Sequence, residues 1–155
     1  MSYRIRGLCP DPFRHLYGLS DEELKSHCAR RCVADQDGAF PDRIEMRDAK
    51  AGDTLLLVNF VHQPADTPYR ASHAIFVREG ADAPFDRIGQ IPLSMRTRVL
   101  SLRAFDADHM MVDADVVDGR EAESLIARLF ADPATAYLHA HYVRRGCYAA
   151  RIERA

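Results

Sequence analysis

The residues best placed for chemistry lie between two apolar runs. The stretch His62 to Val77 reads His-Gln-Pro-Ala-Asp-Thr-Pro-Tyr-Arg-Ala-Ser-His-Ala-Ile-Phe-Val, and its loop is flanked by the apolar runs Leu55 to Val61 and Ala74 to Val77. Within it, Tyr69, Arg70, Ser72 and His73 are crowded together. A guanidinium suits a carboxylate or phosphate, a phenol and a hydroxyl complete a donor set, and an imidazole moves protons near neutral pH. A plain turn needs only Gly, Asn, Asp or one Pro. Such a loop therefore predicts a binding site on a rigid scaffold. The plainer alternative is that Arg70 pairs with Asp66 and Ser72 simply starts a strand.

The second group is His139-x-His141, followed by Arg151. If the chain end is a hairpin with Val143 opposite Cys147, His141 faces Ala149 and His139 faces Arg151 on one side. Leu138, Ala140, Tyr142, Tyr148, Ala150 and Ile152 then take the other side. His-x-His on a strand is a spacing used by metal sites, and His62 or His73 could add a third ligand. Against this, no carboxylate sits at a ligand offset, and Arg151 beside His139 would raise the energy of a bound cation. Two exposed histidines on an edge strand account for the spacing without chemistry. The expectation is thus no metal and no cofactor, with His62, His139 and His141 as candidate acids or bases. Nucleophilic catalysis would need Ser72 or Cys147 bonded to an oriented histidine, and no nucleophile-elbow sequence is present.

Composition narrows the partners. Twenty-one Lys and Arg against 23 Asp and Glu leave a net charge of -2, without the basic excess of a nucleic-acid module. Lys25 and Lys50 are the only lysines; the arginine bias suits anion recognition, and a GC-rich genome gives the same bias. The opening Met-Ser-Tyr-Arg-Ile-Arg is no apolar leader, and no segment approaches the roughly 20 apolar residues that span a bilayer. A cytoplasmic location is expected, with no membrane or nucleic-acid partner. Cys9, Cys28, Cys32 and Cys147 lack Cys-x-x-Cys spacing, so they read as buried thiols. Nothing specifies an oligomeric state.

The elements that must position these groups follow from periodicity. Ser20 and Glu23 form a capping box with Leu19 and Leu24 at staple positions, which predicts a helix from Asp21 to about Ala29. Arg31 to Asp35 and Arg43 to Met46 are short strand candidates. Leu55 to Val61 is apolar on both parities, as in a central strand, with His62 on the face of Leu56, Val58 and Phe60. Ser72 to Arg78 is its antiparallel neighbour, and Phe85 to Leu93 reads as irregular. Val99 to Phe105 and His109 to Val117 form a hairpin in which Arg103 reaches an aspartate. Asp118 and Glu121 cap a second helix whose stripe is Ala122, Leu125, Ile126, Leu129 and Phe130.

Several segments together resemble a bacterial family known as domain of unknown function 1203. They are Arg43-Ile-Glu-Met, the turn from Asp48 to Gly52, the strand ending near His62, Pro-Tyr-Arg-Ala-Ser at 68 to 72, Ile-Phe-Val at 75 to 77, and His-x-His with Gly-Cys and Arg151. The resemblance runs through nearly the whole chain, although Asp42 stands where the family pattern often has a cysteine. It implies a small cytosolic domain without an assigned activity and supplies no catalytic residues. The expected architecture is a single α+β domain over residues 1–155, a curved and mostly antiparallel sheet packed by two main helices. The expected function is an anion-binding pocket in which Tyr69, Arg70, Ser72, His73 and Arg151 bind a small phosphate- or carboxylate-bearing metabolite. Whether it is an enzyme stays open; the alternative is a non-catalytic module for a small ligand or a protein.

Overall fold

The computed structural model describes residues 1–155. In chain order the elements are β1 (Tyr3–Arg6), α1 (Asp11–Arg14), α2 (Asp21–Ser26), β2 (Ala29–Val33), β3 (Thr54–Gln63), β4 (Ala71–Arg78), β5 (Asp86–Ile88), α3 (Leu93–Arg96), β6 (Val99–Phe105), β7 (Met111–Asp118), α4 (Ala122–Ala131), β8 (Tyr137–Tyr142) and β9 (Tyr148–Arg154). The strands form a six-stranded sheet of order β5-β1-β9-β8-β6-β7 and a three-stranded sheet of order β2-β3-β4. Every pairing in both sheets is antiparallel.

Side-chain alternation gives the large sheet two different faces. Leu100, Leu102, Ala104, Leu138, Ala140 and Ile152 meet the stripe of α4, where Ala122, Leu125, Ile126, Leu129 and Phe130 are buried. The opposite face carries His139, His141 and Arg103 and receives the small sheet. Ring contacts of Phe60 and His62 with Tyr148, at 5.7 and 5.5 Å, tie β3 to β9. Leu56, Val58, Ile75 and Val77 fill a second cluster with Leu24 of α2.

The expected pair of main helices is corrected to one. Only α4 is long, and the fold is strand-rich. The Ser20 capping box forms as expected, with both reciprocal bonds present. The helix it opens stops at Ser26 because Cys28 turns to φ 53 and the chain enters β2 at Ala29. At the second helix Asp118 accepts from Arg120 N and opens a 3-10 turn, Gly119–Glu121, with no box bond from Glu121. Gly119 itself is required, since a Cβ there would lie 1.9 Å from the Met95 carbonyl oxygen.

Other local expectations shift for identifiable reasons. Residues 43–46 are not a strand, because the buried Asp42 carboxylate accepts from the amides of Ile44, Glu45 and Arg78 and bends the chain. The segment expected to be irregular contains β5, which pairs with β1, and the start of α3. Pro12 lies inside α1, in the first turn where its missing N–H costs no bond. In the β6–β7 hairpin Phe105 pairs with Met111 and Asp113 lies opposite Ala104, so Arg103 faces Ala114 and not the expected aspartate. Asp106 N donates to Met110 O across the connecting loop, where His109 takes φ 62. No helix is long and apolar enough to cross a membrane.

Candidate metal centre

Three histidines from two sheets meet between them. Alternation along β3 places His62 on the inward face after Leu56, Val58 and Phe60, and an irregularity between Val61 and Gln63 lets both His62 and Gln63 face inward. On β8, His139 and His141 share the face opposite α4. The expected edge-strand exposure does not occur, because β8 is flanked by β6 and β9 and the two residues are only 3% and 1% exposed. Ring centroids stand 6.1 Å apart for His62 and His139, 4.9 Å for His62 and His141, and 6.4 Å for His139 and His141. One ring nitrogen from each can be chosen so that all three lie within 4.8 Å of one another.

Each of the three rings also has a nitrogen that is buried and unsatisfied. His62 Nδ1, His139 Nδ1 and His141 Nε2 have no hydrogen-bond partner. Native structures pair most such atoms, so three orphans in one cluster need an account. His141 Nδ1 lies 2.9 Å from the Gly146 carbonyl oxygen. A carbonyl only accepts, so Nδ1 carries the proton and Nε2 presents its lone pair, the arrangement that outer partners impose on metal-bound histidines.

Electrostatics keeps all three rings neutral. Burial lowers His62 to about 4, with Arg103 and His73 adding repulsion. Burial likewise lowers His139 to about 3, reinforced by the other two histidines, Arg151 and Arg103. His141 falls to about 3 for the same first reason, although its bond to Gly146 opposes the shift. Tyr148 stacks on His62 and meets His139 and His141 edge-on at 5.3 and 5.8 Å. Phe105 covers His139 at 5.0 Å. Neutral imidazole is the ligand form of histidine.

A cavity of about 470 Å³ opens beside the cluster, and both His62 and His139 line it together with Gln63, His109, Tyr137 and Arg151. Gln63 Nε2 donates to Tyr137 Oη at 2.9 Å, and His109 Nδ1 lies 2.8 Å from the same oxygen. Arg151 pairs across the strands with His139, as expected, yet its guanidinium lies 3.9 Å above the Tyr137 ring and donates to Glu153 at 2.8 Å. Its charge is shared with Glu153, although it still acts on His139.

The predicted residues divide between two places. His62, His139 and Arg151 share the cavity, and His141 completes the cluster. Tyr69, Arg70 and Ser72 do not line it. Tyr69 meets Phe105 edge-on at 6.1 Å, while Arg70 and Ser72 are exposed and Arg70 makes no ion pair with Asp66. His73 stands on β4 opposite Phe60, its Nδ1 2.9 Å from its neighbour's carbonyl at Ala74. Gln63, His109, Tyr137 and Arg103 were not anticipated. Tyr137 was within reach of sequence reasoning, since period-2 alternation puts it on the face of His139 and His141.

A family model described as "Protein of unknown function (DUF1203)" matches residues 39–154. The match takes in β3, β8 and β9, and so all three histidines. The search of curated proteins and the search of solved structures each returned no match.

Proposed function

We propose, for a chain that belongs to the DUF1203 family, that its function rests on one divalent transition-metal ion held by His62, His139 and His141. The observation that carries this reading is a trio of histidines that can each bring a ring nitrogen within 4.8 Å of the other two, each of them also holding a buried ring nitrogen without a hydrogen-bond partner. Imidazole suits zinc, iron, nickel and copper, and a site with three protein ligands leaves a position open, as catalytic zinc sites do. The cavity that His62 and His139 line gives a small molecule a way to the cluster. Bound there, the ion would supply Lewis-acid polarisation.

The chain's own residues complete the site. The bond from His141 Nδ1 to Gly146 orients its ring. Tyr148 and Phe105 exclude water from the back of the cluster. Tyr137 Oη, held by Gln63 and His109, is a hydroxyl at the cavity wall positioned to hold or pass a proton.

Zinc titrated into metal-free protein is expected to saturate at one ion per chain. X-ray absorption should then find about three imidazole nitrogens at roughly 2.0–2.1 Å. The double variant His139→Ala with His141→Ala should bind none, whereas His73→Ala should bind as the wild type does. Wild-type protein that takes up no zinc, nickel, iron or copper would end this reading.

A further inference from the structure

We infer that the ligand completing this centre is a small oxyanion, a carboxylate or phosphate group held between the metal ion and the guanidinium of Arg103. The inference rests on the metal reading and adds the chemical class of what the centre binds. Arg103 lies directly across from His139 in the pairing of β6 with β8, two residues along from the pair Ser101 and His141. It therefore projects from the same face as both histidines.

Arg103 has no anionic partner. Its side chain makes one long hydrogen bond, Nε to Ser101 Oγ at 3.4 Å. Half-buried on the sheet face, it has no carboxylate in ion-pair contact. The aspartate that the hairpin was expected to bring to it is missing: Arg103 stands opposite Ala114, and the flanking Asp113 and Asp115 are both held by Arg128 at 3.0 Å. The other nearby cation, Arg151, already has Glu153. Asp66 and Asp108 line the cavity from exposed loops and form an ion pair with neither Arg103 nor Arg151.

The charge balance then favours an anion. Three neutral ligands leave a dication's charge whole, and a half-buried guanidinium stands beside it. Like charges in a low-dielectric site repel strongly, so metal and Arg103 are compatible only when a negative group lies between them. An oxyanion does this with one oxygen on the ion's open position and another on the guanidinium fork, which is built for bidentate oxyanions.

Metal and anion must consequently bind cooperatively, each raising the other's affinity by the same factor. Zinc binding measured with buffered free zinc in acetate or in inorganic phosphate should be tighter than in nitrate of equal ionic strength, by about 5- to 150-fold. The two arms separate a carboxylate-selective site from a phosphate-selective one. Arg103→Met should bind zinc in nitrate at least as tightly as the wild type and show less than about a twofold gain with either anion. Arg103→Lys, which keeps the charge without the fork, should recover part of the gain. Zinc binding that ignores both anions, or a gain that survives in Arg103→Met, overturns the inference and leaves the metal reading standing. Absence of zinc binding in every buffer overturns the metal reading itself.

Discussion

Zinc-loaded protein is expected to melt about 8 to 16 °C above the metal-free form. An ion at a thousand times its dissociation constant stabilises the fold by roughly 4.1 kcal/mol, and at this chain length each kcal/mol moves the midpoint by about 2 to 4 °C. The shift is large because the unfolded chain holds no preformed set, so the binding energy is folding energy. His139→Ala should lose most of the shift, since two ligands remain. His73→Ala should keep it, since His73 is not one of the three ligands that converge. Calorimetric scans of metal-free and loaded protein decide the matter. A shift under about 2 °C at saturating zinc would mean that the ion binds folded and unfolded chains alike, and the three nitrogens are then no centre.

Without metal, the same histidines make the fold acid-sensitive well above the ordinary carboxylate range. His139 and His141 are held at about 3 and His62 at about 4, against 6.5 in the unfolded chain. Between those values the unfolded state binds protons that the folded state refuses. The stability from keeping them neutral is complete above about pH 6.5 and is lost as the pH falls towards the folded values. Each group contributes a slope of about 1.4 kcal/mol per pH unit, so the two fully buried rings alone give roughly 3. Against a total stability of roughly 5 to 15 kcal/mol, metal-free protein should unfold at around pH 4 to 5. Urea melts at pH 7, 6 and 5 would measure the slope. His139→Leu removes one of the titrating rings without breaking a hydrogen bond, and its slope should fall by about a third. Equal stabilities at pH 6.5 and 5 would contradict the burial argument.

Much of this arrangement was legible before the fold was known, and what was not has specific causes. Period-2 alternation correctly put His139 with His141, opposed His139 to Arg151, and set His62 on the face of Phe60. The stripe of α4 and the Ser20 box were local signals that tertiary contacts reinforced. What alternation could not give was β8's place between β6 and β9, which turns an apparent edge pair into two buried rings. A register shift after Ala140 pairs His141 with Tyr148 and carries that tyrosine from the expected core face to the histidines. The β6–β7 loop, closed with His109 at positive φ, displaced the expected partners of Arg103 and left it unpaired. Tyr69, Arg70 and Ser72 misled for the opposite reason. They are dense in sequence, but the loop bearing them turns outward, and density along a chain is not convergence in space.

His62 belongs to the small sheet and its two companions to the large one, so a bound ion would be a rivet as well as a reagent. It would join the chain's middle to its last hairpin, closing a long loop now held by ring packing and the bond from Gln63 to Tyr137. Breathing of the two sheets and escape of the ion would then be a single event, because His62 cannot withdraw without lifting β3 from Tyr148. Loss of metal to a chelator too large for the cavity would proceed at the pace of that local opening and would not quicken as chelator is added.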